Sequence, residues 1–229
     1  MRFQEGITVK MKTRLSEKQI RKIVRKILVE RSSFTGFGGF RSTDVDDEID
    51  SSEYTDKTFN PSSMQMSDQG LEILKKMEGV RYQVYDDKTG KVVSSYQEVQ
   101  GYPTIGVGHL IKENEKEQFK QYLKNGIKLT ESEVNNLFRE DIEKHTTFKN
   151  QISVPITQNM FDAMASFSFN AGPNALKQDG IIDLINRKDY QSAGKKIKSS
   201  RVSALDDPNY LSNRRSKESE LFLRYLPKD

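Results

Sequence analysis

The sequence of 229 residues predicts an α+β fold, a small antiparallel sheet lobe plus a mainly helical C-terminal lobe, preceded by a helix and an extended tether. Three observations predict this fold. A capped amphipathic helix near residues 67–78 runs into short segments with strand character. Helical periodicity with clear caps dominates after residue 130. A long polar stretch without either period separates this region from a basic N-terminal segment.

Composition removes several classes of function. The chain has no Cys and two His, which excludes a disulfide scaffold, a Cys-ligated metal centre and a thiol nucleophile, and disfavours an all-His metal site. Any chemistry must therefore use carboxylates, hydroxyls, lysines or the backbone. With 34% hydrophobic residues and no apolar run near the roughly 18 residues of a spanning helix, we expect no transmembrane segment. The start of the chain lacks the apolar segment of a secretory signal.

Residues 1–31 are predicted to form a basic amphipathic helical arm. Ser16 and Gln19 form a capping-box pattern, and an aliphatic stripe follows at helical spacing: Ile20, Ile23, Val24, Ile27 and Leu28. The arm is either a solvated helix or a docking element for a partner surface. The partner could be a protein, an anionic membrane or a nucleic acid. The aliphatic stripe favours a protein over DNA, so contacts with structural proteins through residues 1–66 are a possible role and no nucleic acid is expected.

Residues 32–66 are predicted to be a flexible acidic tether. The segment begins with a Gly- and Ser-rich run, and residues 41–58 contain seven acidic and two basic residues. Neither helical nor strand periodicity is visible for more than thirty residues, which is typical of a linker.

Residues 67–229 are predicted to form a globular α+β domain. Ser67 caps the first helix, and segments 82–85, 91–93 and 104–107 are predicted strands. Thr130 and Glu133 form a capping box that opens the next helix. A hydrophobic helix follows Pro155 and stops at the Asn-Ala-Gly-Pro run of 170–173. Shorter helices are predicted at 181–186, 190–199 and 214–225.

Two carboxylates in this domain are candidates for chemistry. Glu78 lies at the end of the first helix, where apolar neighbours favour the protonated acid, and Asp87 lies on a polar turn that favours the ionised form. Such an asymmetric pair suits the cleavage of a glycosidic bond. Thr104 could direct its hydroxyl into the same cleft. Taken alone, the pair is a weak signal, because an acidic residue at a helix end is commonly a surface residue.

Ordered blocks of sequence carry a specific resemblance. They are EGVRYQVYDD at 78–87, TIGVGHL at 104–110, PITQ at 155–158, SFSFNAG at 166–172 and NRRSKE at 213–218. Together they resemble the phage-type lysozymes, the endolysins of glycoside hydrolase family 24, from about residue 67 to 225. The resemblance implies a muramidase that cuts the β-1,4 bond between N-acetylmuramic acid and N-acetylglucosamine of bacterial peptidoglycan with inversion.

The resemblance also implies roles for individual residues. Glu78 would be the general acid, Asp87 the carboxylate that positions or activates water, and Thr104 a residue that holds this water. Leu110 and Phe169 fall where the family lines its saccharide cleft. The residue that would pair with the catalytic glutamate is Arg214, and no metal or organic cofactor is implied.

The chain departs from the family in three respects, one of which is that its C-terminal lobe lacks the tryptophan often seen there. Asp87 and Thr104 are seventeen positions apart, further than in the family pattern, so an insertion within 88–103 lengthens the hairpin at the cleft mouth. The N-terminal 66 residues match nothing in the enzyme family. This added arm favours a lysozyme carried in a phage virion, at the tail, baseplate or another part of the particle. The alternative is a free endolysin that stays in the host cytoplasm until a holin releases it.

Other functions compete with hydrolysis. A non-catalytic binding or structural module on the same fold could have its cleft capped by the 88–103 insertion. A lytic transglycosylase would form a 1,6-anhydro end without water, but Asp87 and Thr104, which manage water, favour hydrolysis.

Other polar residues receive structural interpretations. His109 is expected to be a supporting histidine that pairs with a carboxylate or carbonyl group, and His145 is expected to face solvent. The run Lys195, Lys196 and Lys198 is expected to be a solvated helix face.

Overall fold

The computed structural model describes residues 54–202 and 208–228. The predicted arm at 1–31 and the first part of the predicted tether, 32–53, lie outside the described residues. The strands are β1 (Thr58–Phe59), β2 (Arg81–Asp86), β3 (Pro103–Gly106), β4 (His109–Leu110) and β5 (Ile156–Thr157). The α-helices are α1 (Asp68–Glu78), α2 (Lys116–Phe119), α3 (Glu131–Glu143), α4 (Gln158–Ala171), α5 (Ala175–Gln178), α6 (Ile181–Asn186), α7 (Tyr190–Ser199) and α8 (Pro208–Leu223). Short 3-10 turns lie between several of them.

The predicted α+β fold is confirmed. Strands β2, β3 and β4 form an antiparallel sheet in that order, and Thr104 pairs with both Tyr85 and Leu110. Gly106 and Gly108, both at positive φ, form the tight turn between β3 and β4. The predicted strand at 91–93 is reduced to one isolated bridge between Tyr85 and Val92.

Helix α4 is the centre of the helical lobe. Apolar side chains are buried all around it, including Met160, Phe161, Met164 and Phe167, as expected for a helix enclosed by other elements. Helices α8, α5 and α1 pack against it, and α7 packs against the outer side of α8. Helix α4 ends at Gly172, whose φ of 104° suits glycine.

Helix boundaries set by caps are confirmed. The Ser67 side chain accepts from the Gly70 N–H at the start of α1, and Thr130 with Glu133 forms the predicted capping box of α3. Helices α6 and α7 have the predicted bounds. The last helix begins at Pro208, six residues before the predicted start at Arg214.

The prediction of a tether is wrong for residues 54–66, which belong to the folded domain. Strand β1 pairs with β5, and Tyr54, Met64 and Met66 are buried. The Tyr54 hydroxyl donates to Asp162 Oδ2 of α4 at 2.9 Å. Three apolar side chains at irregular spacing give no periodic pattern, so their burial is not visible in the sequence.

The buried Asp162 carboxylate joins this segment and α1 to α4. It also accepts from the Ser67 N–H at 3.0 Å, from the Ser67 hydroxyl and from Gln158 Nε2 at 2.9 Å. Burial raises the pKa of Asp162, while these hydrogen bonds oppose the rise.

None of the helices in the described part of the chain combines the length and apolar character needed to cross a bilayer.

Candidate active site

Glu78 is the last residue of α1, and its side chain is 8% exposed. The helix stops there because Gly79 adopts a φ of 77°, a conformation that leads the chain directly into β2. Arg214 Nη1 of α8 donates to Glu78 Oε1 at 2.7 Å. The contact between Arg214 and Glu78 is therefore present, and it joins the end of α1 to the helical lobe.

A buried ionic cluster holds Arg214 in place. Its Nε donates to Glu218 Oε1 at 2.9 Å, and its Nη2 donates to the Ser166 carbonyl at 3.2 Å. Glu218 also accepts from the Ser166 hydroxyl at 2.8 Å and from Arg215 Nη1. Arg215 Nη2 in turn donates to Asn170 Oδ1. We name this set, with Glu78, the Arg214 cluster.

Sequence reasoning did not single out Glu218, Arg215, Ser166 or Asn170 as site residues. A signal was present: Arg214 and Glu218 are four positions apart on one helix, as are Ser166 and Asn170 on another. The packing of α8 against α4, which brings these pairs together, is not visible in local spacing.

Asp87 follows β2 and is buried, with 4% of its surface exposed. Its Oδ1 accepts from the Tyr102 N–H at 2.6 Å. Burial raises the pKa of Asp87, the Tyr102 hydrogen bond opposes the rise, and the charge of Asp86 adds to it. The expected polar turn is instead a buried position, because the 88–103 segment folds back over this side chain.

The 88–103 segment is fixed at several points. Asp86 Oδ1 accepts from the Gly101 N–H at 2.9 Å and from the Lys88 N–H at 3.2 Å. The Tyr96 hydroxyl donates to the Lys116 carbonyl at 2.8 Å. A Cβ atom at Gly101 would lie 2.1 Å from Asp87 Oδ1, so only glycine permits this close approach.

Thr104 lies on β3 beside Asp87. Its hydroxyl donates to the Tyr102 carbonyl at 3.2 Å, and its side chain is buried. Tyr85, its partner on β2, lies within the influence of both carboxylates: burial raises the pKa of Tyr85, and the charges of Asp87 and Glu78 add to the rise. Thr104 thus lies opposite Tyr85 in the sheet, and Glu78 and Asp87 are close enough for their charges to raise the pKa of this buried tyrosine.

The two predicted saccharide-contacting residues differ in exposure. Leu110 is half-buried on β4 and pairs with Thr104. Phe169 is only 3% exposed, and its ring packs 5.6 Å from Phe138 and 5.2 Å from His145. Phe169 thus supports the core and has almost no surface for a sugar. His145 is half-buried against it, so the expectation that His145 faces solvent is wrong.

His109 has the predicted structural environment. Its Nδ1 lies 2.8 Å from Asp141 Oδ2, and its ring packs 5.3 Å from that of Phe119. Burial acts to raise the pKa of Asp141, but the hydrogen bonds and charges of His109 and Lys144 hold it below the ordinary value. The run Lys195, Lys196 and Lys198 is exposed, as predicted.

Within residues 54–202 and 208–228, no group of three or more His, Asp and Glu side chains is placed to hold a metal ion. The polar groups at the candidate site are the carboxylates of Glu78 and Asp87, the guanidinium of Arg214 and the hydroxyls of Thr104 and Tyr85.

A sheet lobe and a helical lobe, with a glutamate at their junction, define the lysozyme-like class. The sequence profile of the family described as phage lysozyme matches residues 75–218. The endolysin of Salmonella phage P22 is 32% identical over 161 residues, 70% of this chain and 99% of that protein. A crystal structure of a P22 lysozyme mutant superposes with a TM-score of 0.55 at 31% identity, over 70% of this chain and 99% of that one.

An endolysin from a phage of Escherichia coli O157:H7 gives a TM-score of 0.53 at 28% identity, over 72% of this chain and 98% of that one. The chain belongs to the phage lysozyme family. Membership in this family places the protein among the glycosidase-type hydrolases of peptidoglycan.

Proposed function

We propose that the protein is a muramidase that hydrolyses the β-1,4 bond between N-acetylmuramic acid and N-acetylglucosamine with inversion at the anomeric carbon. Glu78 is the general acid, Asp87 the general base and Thr104 a ligand of the attacking water. The observation that carries this proposal is the pair of buried carboxylates around Tyr85. One is bound by Arg214 and the other by the Tyr102 amide.

Glu78 acts in its protonated form. It transfers its proton to the glycosidic oxygen as the bond from that oxygen to the anomeric carbon breaks, and the bonding electron pair stays on the oxygen. The carboxylate that Glu78 becomes lies 2.7 Å from Arg214 Nη1. Arg214 therefore stabilises the charge that appears during the reaction, in a site where water is largely excluded.

Asp87 and Thr104 act on the water. As the water oxygen bonds to the anomeric carbon on the face opposite the leaving group, one of its protons passes to Asp87. The pKa of Asp87, raised by burial, makes its carboxylate a stronger base than an exposed aspartate. Because the Thr104 hydroxyl donates its own hydrogen to the Tyr102 carbonyl, its lone pairs are left to accept from the water.

The remaining predicted residues have supporting roles. Leu110, half-buried beside Thr104, offers apolar surface to the saccharide. Phe169 and His109 stabilise the two lobes behind the cleft, through contacts with His145 and Asp141 respectively.

Mass spectrometry of muropeptides released from purified peptidoglycan tests this function. The full chain should produce new reducing muramic acid ends, and Glu78→Gln should produce none. Glu72→Gln is a matched control on the same helix, because the Glu72 side chain is 55% exposed. Anhydro-muramic ends would indicate a transglycosylase, and no product from the unchanged protein would indicate a binding module. The anomer formed first, followed by NMR, tests inversion.

We further propose that the enzyme is carried in the virion of a tailed phage, with the basic segment 1–31 bound to a structural protein of the particle. The uneven charge of the N-terminal segment supports this location over that of a free endolysin. Mass spectrometry of purified particles tests it, and absence of the protein from the particles would favour the free endolysin.

A further inference from the structure

Tyr102 is an exposed aromatic residue at the candidate active site. In the proposed mechanism only its backbone has a role. Large apolar side chains exposed in the described part of the chain are Phe59, Tyr102, Ile127 and Val202. Of these four, Tyr102 is the one whose backbone bonds directly to Asp87, and 40% of its surface is exposed. A single exposed apolar residue is common on protein surfaces, so it is the position of Tyr102, bonded to Asp87 and Thr104, that indicates a role in binding.

The position of Tyr102 is fixed by three hydrogen bonds. Its N–H donates to Asp87 Oδ1 at 2.6 Å, and its carbonyl accepts from the Asp87 N–H at 3.1 Å and from the Thr104 hydroxyl at 3.2 Å. These bonds connect the Tyr102 backbone to Asp87 and Thr104, the two residues that are proposed to bind and activate the attacking water. A side chain on so rigid a backbone loses little freedom when a ligand binds.

Strand alternation indicates the face on which the ring lies. The pairing of β2 with β3 continues one step upstream through the hydrogen bond from Asp87 to the Tyr102 carbonyl. Side chains two positions apart on a strand share a face, so Tyr102 and Thr104 share one face and Ile105 lies on the other. Ile105 is fully buried in the core, and Tyr102 lies on the opposite face, which carries Thr104 and its partner Tyr85 and is the face of the candidate site.

We propose that the Tyr102 ring is a saccharide platform, on which an N-acetylhexosamine ring next to the cleaved bond stacks. A pyranose ring presents a face of C–H groups, which complements the negative face of an aromatic ring. The tyrosine hydroxyl remains free to bond with water or with sugar hydroxyls at the edge. This subsite rests on the proposed muramidase function, because it deepens the saccharide cleft of that same site.

The 88–103 segment is what supplies the platform. Its contacts with the rest of the sheet lobe, such as Tyr96 to the Lys116 carbonyl and the Lys124 N–H to the Val93 carbonyl at 2.8 Å, hold it in one conformation. The longer hairpin thus ends in a preorganised aromatic surface, and capping of the cleft is not required to explain it.

Binding and kinetics together test the platform. Affinity is measured by NMR titration of a soluble oligosaccharide of alternating N-acetylglucosamine and N-acetylmuramic acid into the Glu78→Gln protein, which binds without turnover. In the Glu78→Gln background, the further change Tyr102→Ala should weaken binding by about three- to tenfold. The change Tyr102→Phe should alter the affinity by less than about twofold, because it keeps the aromatic face. Phe59→Ala is the matched control, since Phe59 is 39% exposed on the separate β1–β5 sheet.

Either of two results would overturn the platform. Unchanged affinity in Tyr102→Ala would show that no sugar stacks on the ring. A fall in kcat with unchanged affinity and KM, measured with Glu78 intact, would show that the residue acts only by placing Asp87. Both results leave the muramidase proposal untouched, whereas failure of that proposal appears as the absence of reducing ends from the unchanged protein.

Discussion

Glu218 binds the side of the Arg214 guanidinium that faces away from Glu78. The distance from Arg214 Nε to Glu218 Oε1 is 2.9 Å, and the two side chains are 2% and 1% exposed. Because Glu218 also pairs with Arg215, one buried carboxylate compensates two buried cations. The orientation of the proposed acid thus depends on a residue that does not contact it.

Glu218→Gln should destabilise the protein and lower its activity. The change keeps the side-chain shape but removes the negative charge between two buried guanidinium groups, which costs about 3 kcal/mol or more in the free energy of unfolding. Chemical denaturation and turnover of peptidoglycan measure the two effects. Glu220→Gln, an exposed change on the same helix, is the control and should alter neither. Equal stability of the two variants would contradict the role given to Glu218.

Activity should have an acid limb set by Asp87. A general base must be ionised, so kcat/KM should fall as pH decreases through the pKa of Asp87, which burial places above its ordinary value of 3.8. Asp87→Asn should lose at least about a hundredfold in kcat. An acid limb centred at or below the ordinary value would contradict the burial of this carboxylate.

Asp87 should also make stability depend on pH, but in the direction opposite to activity: activity falls at low pH, whereas the stability contributed by Asp87 falls at high pH. Because its pKa is raised, the folded state binds the Asp87 proton more tightly than the unfolded chain does. The protonated Asp87 therefore adds to the free energy of unfolding. This contribution is full below the pKa of the unfolded chain and is lost as pH rises through the pKa of the folded state. Asp87→Asn should therefore melt at the same temperature as the unchanged protein or higher at pH 7. Thermal melts at pH 7 measure this, and a clearly lower melting temperature would argue against it.

Gly101→Ala should damage activity more than stability. The added methyl group would lie 2.1 Å from Asp87 Oδ1 and 2.7 Å from Lys88 Cβ, so the carboxylate or the hairpin must move. We expect about 1–3 kcal/mol of destabilisation and a tenfold or greater loss of kcat. Gln97→Ala, an exposed change in the same segment, should have no effect on either. Retention of full activity by Gly101→Ala would mean that Asp87 can shift without cost.

Two truncations test the boundary of the folded domain. A chain that starts at residue 54 keeps Tyr54, β1, Met64 and Met66, whereas one that starts at residue 67 loses all of them and leaves Asp162 with one partner fewer. The shorter chain should be less stable by about 3 kcal/mol or more, since three buried side chains are removed. Denaturant unfolding of the two truncated chains measures the difference in stability. Equal midpoints would support the domain boundary at residue 67 that the sequence predicted.

Local chemistry explains which parts of the fold could be predicted from sequence. The caps at Ser67, Thr130 and Gly172 use residues within one helical turn, so the starts of α1 and α3 and the end of α4 follow from short patterns. The positions of Glu78, Asp87 and Thr104 were indicated by ordered motifs.

Long-range packing explains what could not be predicted. The burial of Asp87 results from a chain reversal that brings Gly101 and Tyr102 back over it, and no local pattern encodes that reversal. Likewise, the environment of Arg214 depends on the packing of α8 against α4. Tyr54 is buried because a carboxylate 108 positions away accepts its hydroxyl hydrogen.

The ion pair between Asp56 and Lys228, 2.5 Å from Oδ2 to Nζ, brings the two ends of the described domain to one corner. Such a pair contributes little energy at the surface, yet the proximity has a topological consequence. The ends could be joined by a short linker and the chain opened elsewhere, so a circular permutant should retain the fold. Because its two ends lie close together, the whole domain could also be inserted into a surface loop of another protein without distorting that protein.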